Sequence, residues 1–149
     1  MPITTIVDAR TSDILLSEEE NSLSRQTITV NMSTGATLLR GTVLARAKNA
    51  DLTTAYDIVK SADLTNSATA LGKEFVILGG DGYGFKQSVT FVTSTAKSAI
   101  GWLRDASFKE TQVRALHAGF SDAEWGLLKG ALLATQNLRL VPTATAVPA

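Results

Sequence analysis

The hydrophobic and polar positions of the chain change period twice. From Gln26 the residues Thr27, Ile28, Thr29 and Val30 alternate with period two, as a half-buried strand does. Gly35 marks a break, and Thr42-Val43-Leu44-Ala45 after Gly41 forms a second strand candidate. Ala55 to Val59 forms a third, and the small, polar stretch Ser61 to Thr69 reads as a loop. Phe75-Val76-Ile77-Leu78 is a continuous apolar run that suits a buried strand. Ser88 to Val92 alternates again, and the glycine-rich Gly79 to Gly84 between them predicts a long hairpin. Ala99 to Leu103 and Asn137 to Val141 complete the strand candidates.

The C-terminal third takes up helical spacing. Ser107 and Glu110 have the spacing of a capping box, in which hydroxyl and carboxylate satisfy each other's backbone amides. Val113, Leu116, His117 and Phe120 follow at helical intervals. Ser121 and Glu124 form a second box, with Phe120 and Trp125 placed as a hydrophobic staple. Trp125, Leu128 and Leu132 continue the apolar stripe, while Gly126 and Gly130 leave a close-approach surface one turn apart. The pattern predicts helices near 108–119 and 122–136.

Residues 1 to 22 stand apart. Ile3, Ile6 and Val7 lie among threonines, and Ile14, Leu15 and Leu16 precede the run Glu18-Glu19-Glu20. The segment is neither periodic nor polar enough to be plain disorder, and it reads as an extended N-terminal arm, either packed on its own domain or ordered on a neighbouring subunit. Residues 23–141 then form one β-rich domain, and 142–149 a loose Thr/Ala tail bracketed by Pro142 and Pro148. The resulting fold class is mainly β with two short C-terminal helices.

Composition narrows the partners. The chain has 149 residues, enough for one domain that buries roughly 68–70% of its unfolded surface. Lys and Arg number 14 and Asp and Glu number 14, with no basic cluster, so nothing favours a polyanion and nucleic-acid binding is not expected. Cysteine is absent, which fits a reducing compartment. The N-terminus has no basic and apolar pair of regions of the secretory kind, and the most apolar window, Trp125 to Ala134, is interrupted by Lys129. No membrane partner is expected.

Candidate chemistry is sparse. The single histidine, His117, lies beside an apolar stripe and reads as a packing or surface residue. One histidine without cysteine supplies no zinc site, and the aspartates lack the calcium-loop spacing, so no metal is expected. The glycines at 79–84 precede a strand, and Leu71-Gly72-Lys73-Glu74 lacks the hydroxyl a phosphate loop needs; no cofactor is expected. Glu18 to Glu20 read as a solvated face. No residue set gives nucleophile, base and orienter together, so no catalytic residue is assigned and the chain is read as a non-enzyme.

Ordered short matches run from residue 17 to 141. They are Ser17-Glu18 with Leu23-Ser24-Arg25-Gln26, Leu38 to Ala45 with Gly41-Thr42-Val43-Leu44, Tyr56-Asp57, Ser67 to Gly72 leading to Phe75–Leu78, and Ser88 to Thr93. In this order they resemble the lambda-type phage head decoration proteins, the capsid cements. The resemblance implies a β-clip-like, small barrel-like β domain. It implies a structural virion protein that binds the outer surface of an expanded icosahedral capsid and bridges neighbouring major capsid proteins. Its other partner would be itself, as a trimer or alternatively a dimer. It would be made in the host bacterial cytoplasm and located on the outer capsid surface.

The arm would extend a sheet of the coat protein by backbone hydrogen bonding. Ordering it costs about 1–2 kcal/mol per residue, so it needs apolar anchors. Ile3, Ile6, Val7, Ile14, Leu15 and Leu16 are the candidates, with Arg25 at the strand entry. Two rivals come from other classes. One is a β-clip nucleotide hydrolase using Asp57 or Asp81. The other is a carbohydrate-binding or fibre module stacking sugars on Tyr83, Trp102 or Trp125.

Overall fold

The computed structural model describes residues 14–18, 24–48, 54–81 and 88–142. In these residues ten strands form three sheets. The largest has the order β2 (Arg25–Val30), β8 (Lys97–Trp102), β6 (Lys73–Gly80), β4 (Val43–Ala47), β5 (Asp57–Ile58), with every neighbour antiparallel. A second sheet places β9 (Ala106–Lys109) between antiparallel β1 (Leu15–Glu18) and parallel β10 (Leu138–Val141). A two-stranded antiparallel ribbon joins β3 (Ala36–Leu39) to β7 (Ser88–Phe91). Among the described residues the helices are α1 (Ser67–Leu71), α2 (Glu110–Ala115) and α3 (Asp122–Gln136), with a 3₁₀ turn at Ser61–Leu64.

The expected class, mainly β with C-terminal helices, is the observed one. The five-stranded sheet curls until Tyr56 meets Val30 through a single bridge, with Tyr56 N donating to Thr29 O and Asn31 N to Tyr56 O, each at 2.9 Å. One bridge brings the sheet edges together without closing a barrel.

The central strands explain the layering. Side chains of a strand alternate between faces. In β6, Phe75 and Ile77 join one core with Trp102, Phe108, Trp125, Leu128 and Leu132, beneath the helices and the three-stranded sheet. Val76 and Leu78 join the other core with Ile28, Val30, Leu38, Val89 and Phe91, beneath the ribbon. β6 is therefore apolar at successive positions because both faces are covered. Gly101, in register with Leu78, has no side chain because a Cβ there would lie 2.3 Å from Val76 Cγ2.

Three expectations are corrected. β6 and β7 do not form a hairpin: β6 pairs with β4 and β8, and β7 pairs with β3. A strand buried on both faces takes neighbours on both edges, whereas β7, with Val89 and Phe91 inward and Thr90 outward, suits a cover. Ser107 does not cap a helix. It lies inside β9, where its hydroxyl accepts from Arg139 Nε at 2.7 Å, and the expected 108–119 helix shortens to Glu110–Ala115 with Lys109 at its start. Strand pairing of the buried run Ala106–Phe108 overrides the local signal. The 61–69 segment is not plain loop; Asn66 Oδ1 accepts from Thr69 N at 2.8 Å and starts α1.

The second capping box forms as read. Glu124 N donates to Ser121 Oγ at 3.1 Å and Ser121 N to Glu124 Oε1 at 2.9 Å. α3 ends at left-handed Asn137, whose amide donates to Asp105 Oδ1 at 3.0 Å.

Candidate interaction surface

The polar groups with chemical potential are engaged in bonds that hold the fold. Lys60 Nζ donates to Ser33 Oγ at 2.8 Å and to Asp57 Oδ2 at 3.0 Å. The spacing resembles a serine–lysine dyad, but Lys60 is half exposed and ion-paired, and a charged ammonium has no lone pair to take the hydroxyl proton. Burial pushes the Asp57 carboxyl up, yet donors from Lys60, Ser33 and Ile58 outweigh it and hold the group below the usual range. Asp57, a candidate for nucleotide chemistry, is thus an organiser of the turn after β2.

A row of side chains crosses the curled sheet. Arg46 stacks on the Tyr56 ring, 4.5 Å from its centroid, and pairs with Glu74 at 2.8 Å. The Tyr56 hydroxyl is buried beside Glu74 without a hydrogen bond; burial first, and Glu74 second, push its pKa up to about 12. Glu74 also lines a polar hollow of about 380 Å³ with Arg104, Asp105, Gln136 and Asn137. Gln136 is committed there: its Nε2 donates to Leu103 O at 2.7 Å and to Phe75 O. Among the described residues no group of three or more His, Asp or Glu side chains is placed to hold a metal ion. None of their helices is long and apolar enough to cross a membrane.

Trp102 is 1% exposed and Trp125 6%, so neither offers a ring face to a sugar. Trp102 packs edge-on to Phe108, and Trp125 Nε1 donates to Glu110 at 2.9 Å. Burial alone would raise the Glu110 pKa, but the Trp125 and Lys129 hydrogen bonds lower it. Tyr83 lies outside the described residues.

The candidate anchors fall into three groups. Ile3, Ile6 and Val7 lie outside the described residues. Ile14 is 5% exposed and belongs to the domain's own core, with Leu15 packed against that core. Leu16 is 44% exposed. A register shift separates them: Leu15 pairs with Phe108 and Ser17 with Ser107, which leaves Leu16 as the extra residue of a β-bulge. The ladder begins at Ile14, whose carbonyl accepts from Lys109 N at 2.7 Å. The arm, read from sequence as residues 1 to 22, therefore contains four residues, 15 to 18, that serve as an edge strand of this domain. Arg25 opens β2 opposite Trp102 and is partly exposed.

Sequence reasoning also passed over two features of the surface. Among the described residues β1 and β10 are both outer strands of their sheet, a position that suits pairing with a further strand. Beside β10, exposed Gly126 and Gly130 of α3 separate two grooves, one bordered by Leu133, Lys129 and Arg139, the other by Leu71 and Leu127. Leu133 is 54% exposed and Leu71 40%. The glycine spacing was visible in the sequence; the exposure of the leucines beside it was not. No protein-family model, no curated protein and no solved structure matches this chain.

Proposed function

We propose that this protein is a structural capsid decoration protein. It binds the outer surface of an expanded icosahedral phage head through its N-terminal segment and bridges neighbouring major capsid proteins as an oligomer, a trimer by resemblance. The observation that carries the reading is the way the leader joins the body. It enters through the outer strand of the described sheet, its root Ile14 is fixed in the core, and Leu16 stands out on a bulge of that strand. A leader held so firmly at one end transmits load from a partner to the domain. Backbone pairing of Ile3 to Val7 with a coat-protein sheet would supply affinity, and several leaders per oligomer would multiply it. The ordered sequence matches to the decoration family support the same reading, as does the structural use of Ser33, Asp57 and Glu110.

The test mixes purified protein with expanded, undecorated heads and counts bound copies by cryo-microscopy. Full-length chain is expected to saturate defined lattice points. A variant lacking residues 2–13, which keeps Ile14 and the β1 ladder, is expected to fold and to be lost from the particle. Equal occupancy by both proteins, or no binding by the full-length chain, overturns the proposal.

A further inference from the structure

His117 occupies the turn between α2 and α3 and is 6% exposed. Its Nε2 accepts from the Val43 amide at the start of β4, at 2.9 Å, which places the ring proton on Nδ1. Its ring stacks parallel to Phe120 at 5.5 Å and lies 6.4 Å from Trp125. The residue before it reaches toward the N-terminal strand. A Cβ on Gly41 would lie 2.9 Å from Ile14 Cδ1 and 3.1 Å from Leu116 Cδ1, so both side chains close over the bare Gly41 backbone, itself at φ +99°. The turn that His117 fastens thus meets the root of β1 at Gly41.

We infer that His117 is an acid-sensitive latch on the N-terminal strand. Neutral, it bolts the 116–120 turn to β4 and keeps Leu116 and Ile14 together over Gly41. Protonated, it turns a second N–H against the Val43 donor, the bond is lost, and the root of β1 is released.

Burial and the nearest charge favour the neutral form. Arg114, in α2, donates to the His117 and Phe120 carbonyls at 2.5 and 2.6 Å and sets a fixed positive charge beside the ring. From α3, Asp122 is fully exposed and 3.8 Å from Arg114, while Lys129 is paired with Glu110 of α2. β4 and the root of β1 bring a backbone amide and aliphatic carbon. Burial, and then Arg114, hold the imidazole pKa down to about 4. Regulation of how the leader is held is what such a latch would supply, and that use rests on the decoration reading. The latch itself belongs to the free domain and is tested there.

The experiment measures amide exchange by NMR on the full-length free protein between pH 7 and 5, as protection factors corrected for intrinsic rates. The reporters are the Val43 amide and the Lys109 amide, which donates to Ile14 O, against the β2–β8 ladder as reference. Both reporters are expected to be less protected than the ladder at pH 7, because they exchange through a smaller opening, and to lose about twentyfold in protection by pH 5, the ratio for a group titrating near 6.5 when open and about 4 when closed. His117→Gln, which keeps an acceptor and does not titrate, is expected to hold constant protection. Unchanged reporters in the wild type overturn the latch. So does loss at Val43 without loss at Lys109, or protection of both reporters equal to that of the ladder throughout, the mark of opening only with the whole domain. Should His117→Gln fail to fold, the wild-type imidazole titration decides: a midpoint near 6.5 overturns the proposal. None of these outcomes depends on capsid binding.

Discussion

Substituting Ile14 and Leu16 separately tests where the leader ends and the body begins. Ile14→Ala removes three carbons from a side chain that is 5% exposed. At about 0.8 kcal/mol per buried methylene the transfer loss is about 2.4 kcal/mol, and the cavity between Leu116 and Gly41 adds to it. A total of about 3 kcal/mol is expected, toward the lower part of the range for such changes because the site lies at a sheet margin that can relax. Leu16→Ala removes the same number of carbons from a side chain 44% exposed, on the outward position of a bulge, and is expected to cost under about 1 kcal/mol. Urea unfolding of the free proteins reads both values, with unchanged m confirming that the compactness of the two end states is preserved. Retention on expanded heads is then measured at a temperature where both variants are folded. Under the decoration reading Leu16→Ala weakens retention more than Ile14→Ala does. A cost for Ile14→Ala within about 0.5 kcal/mol of zero would refute the placement of Ile14 as the root in the core.

Two further predictions follow from buried contacts. The folded pKa of His117, about 4, lies below its unfolded value of 6.5, so the unfolded chain takes up the proton first and stability declines as pH falls through that window. Between pH 7 and 5 the loss is about 2 kcal/mol by urea unfolding, above the range where Asp57 and Glu110 titrate; a flat wild-type profile sinks it, and His117→Gln should be flat. Gly101→Ala drives a methyl to 2.3 Å from Val76 Cγ2 and should cost about 1–3 kcal/mol. Adding Val76→Ala removes the clash, so the double variant should be more stable than the sum of the single costs predicts by about 1 kcal/mol or more; strict additivity would show that the two positions do not meet.

Much of the fold was legible because it follows local pattern. The alternation at Thr27–Val30 and Ser88–Val92 marks strands covered on one face, and Ser121 with Glu124 starts α3 where the sequence places it. What failed is pairing. Phe75–Leu78 signals a strand buried on both faces, but nothing local says that its partners are β4 and β8 and not the next strand along. Ser107 and Glu110 carry a helix-start signal of about 1 kcal/mol, and it loses to a strand paired on both sides, with Phe108 fully buried. Glu110 then serves Trp125 and Lys129.

The candidate site was legible in composition and illegible in geometry, and the reason lies in Ile14, Leu15 and Leu16. Along the sequence these are three equivalent apolar residues. Their fates differ because β9, some ninety residues away, sets a register that skips one residue, turning Ile14 inward and Leu16 outward. This difference constrains any mechanism in which a partner grips the leader. Force applied upstream of Ile14 reaches first the Lys109–Ile14 hydrogen bond, then β9, whose other edge is β10 and hence the end of α3. Freeing β1 entirely would expose Ile14 and open the core beneath Leu116, at a cost near that of Ile14→Ala plus the ladder bonds. A partner that only extends the sheet from residues 1–13, or pairs beside β1, incurs none of that cost. The economical attachment therefore leaves β1 in place, so that partner strand, β1 and β9 form one continuous mechanical path into the domain.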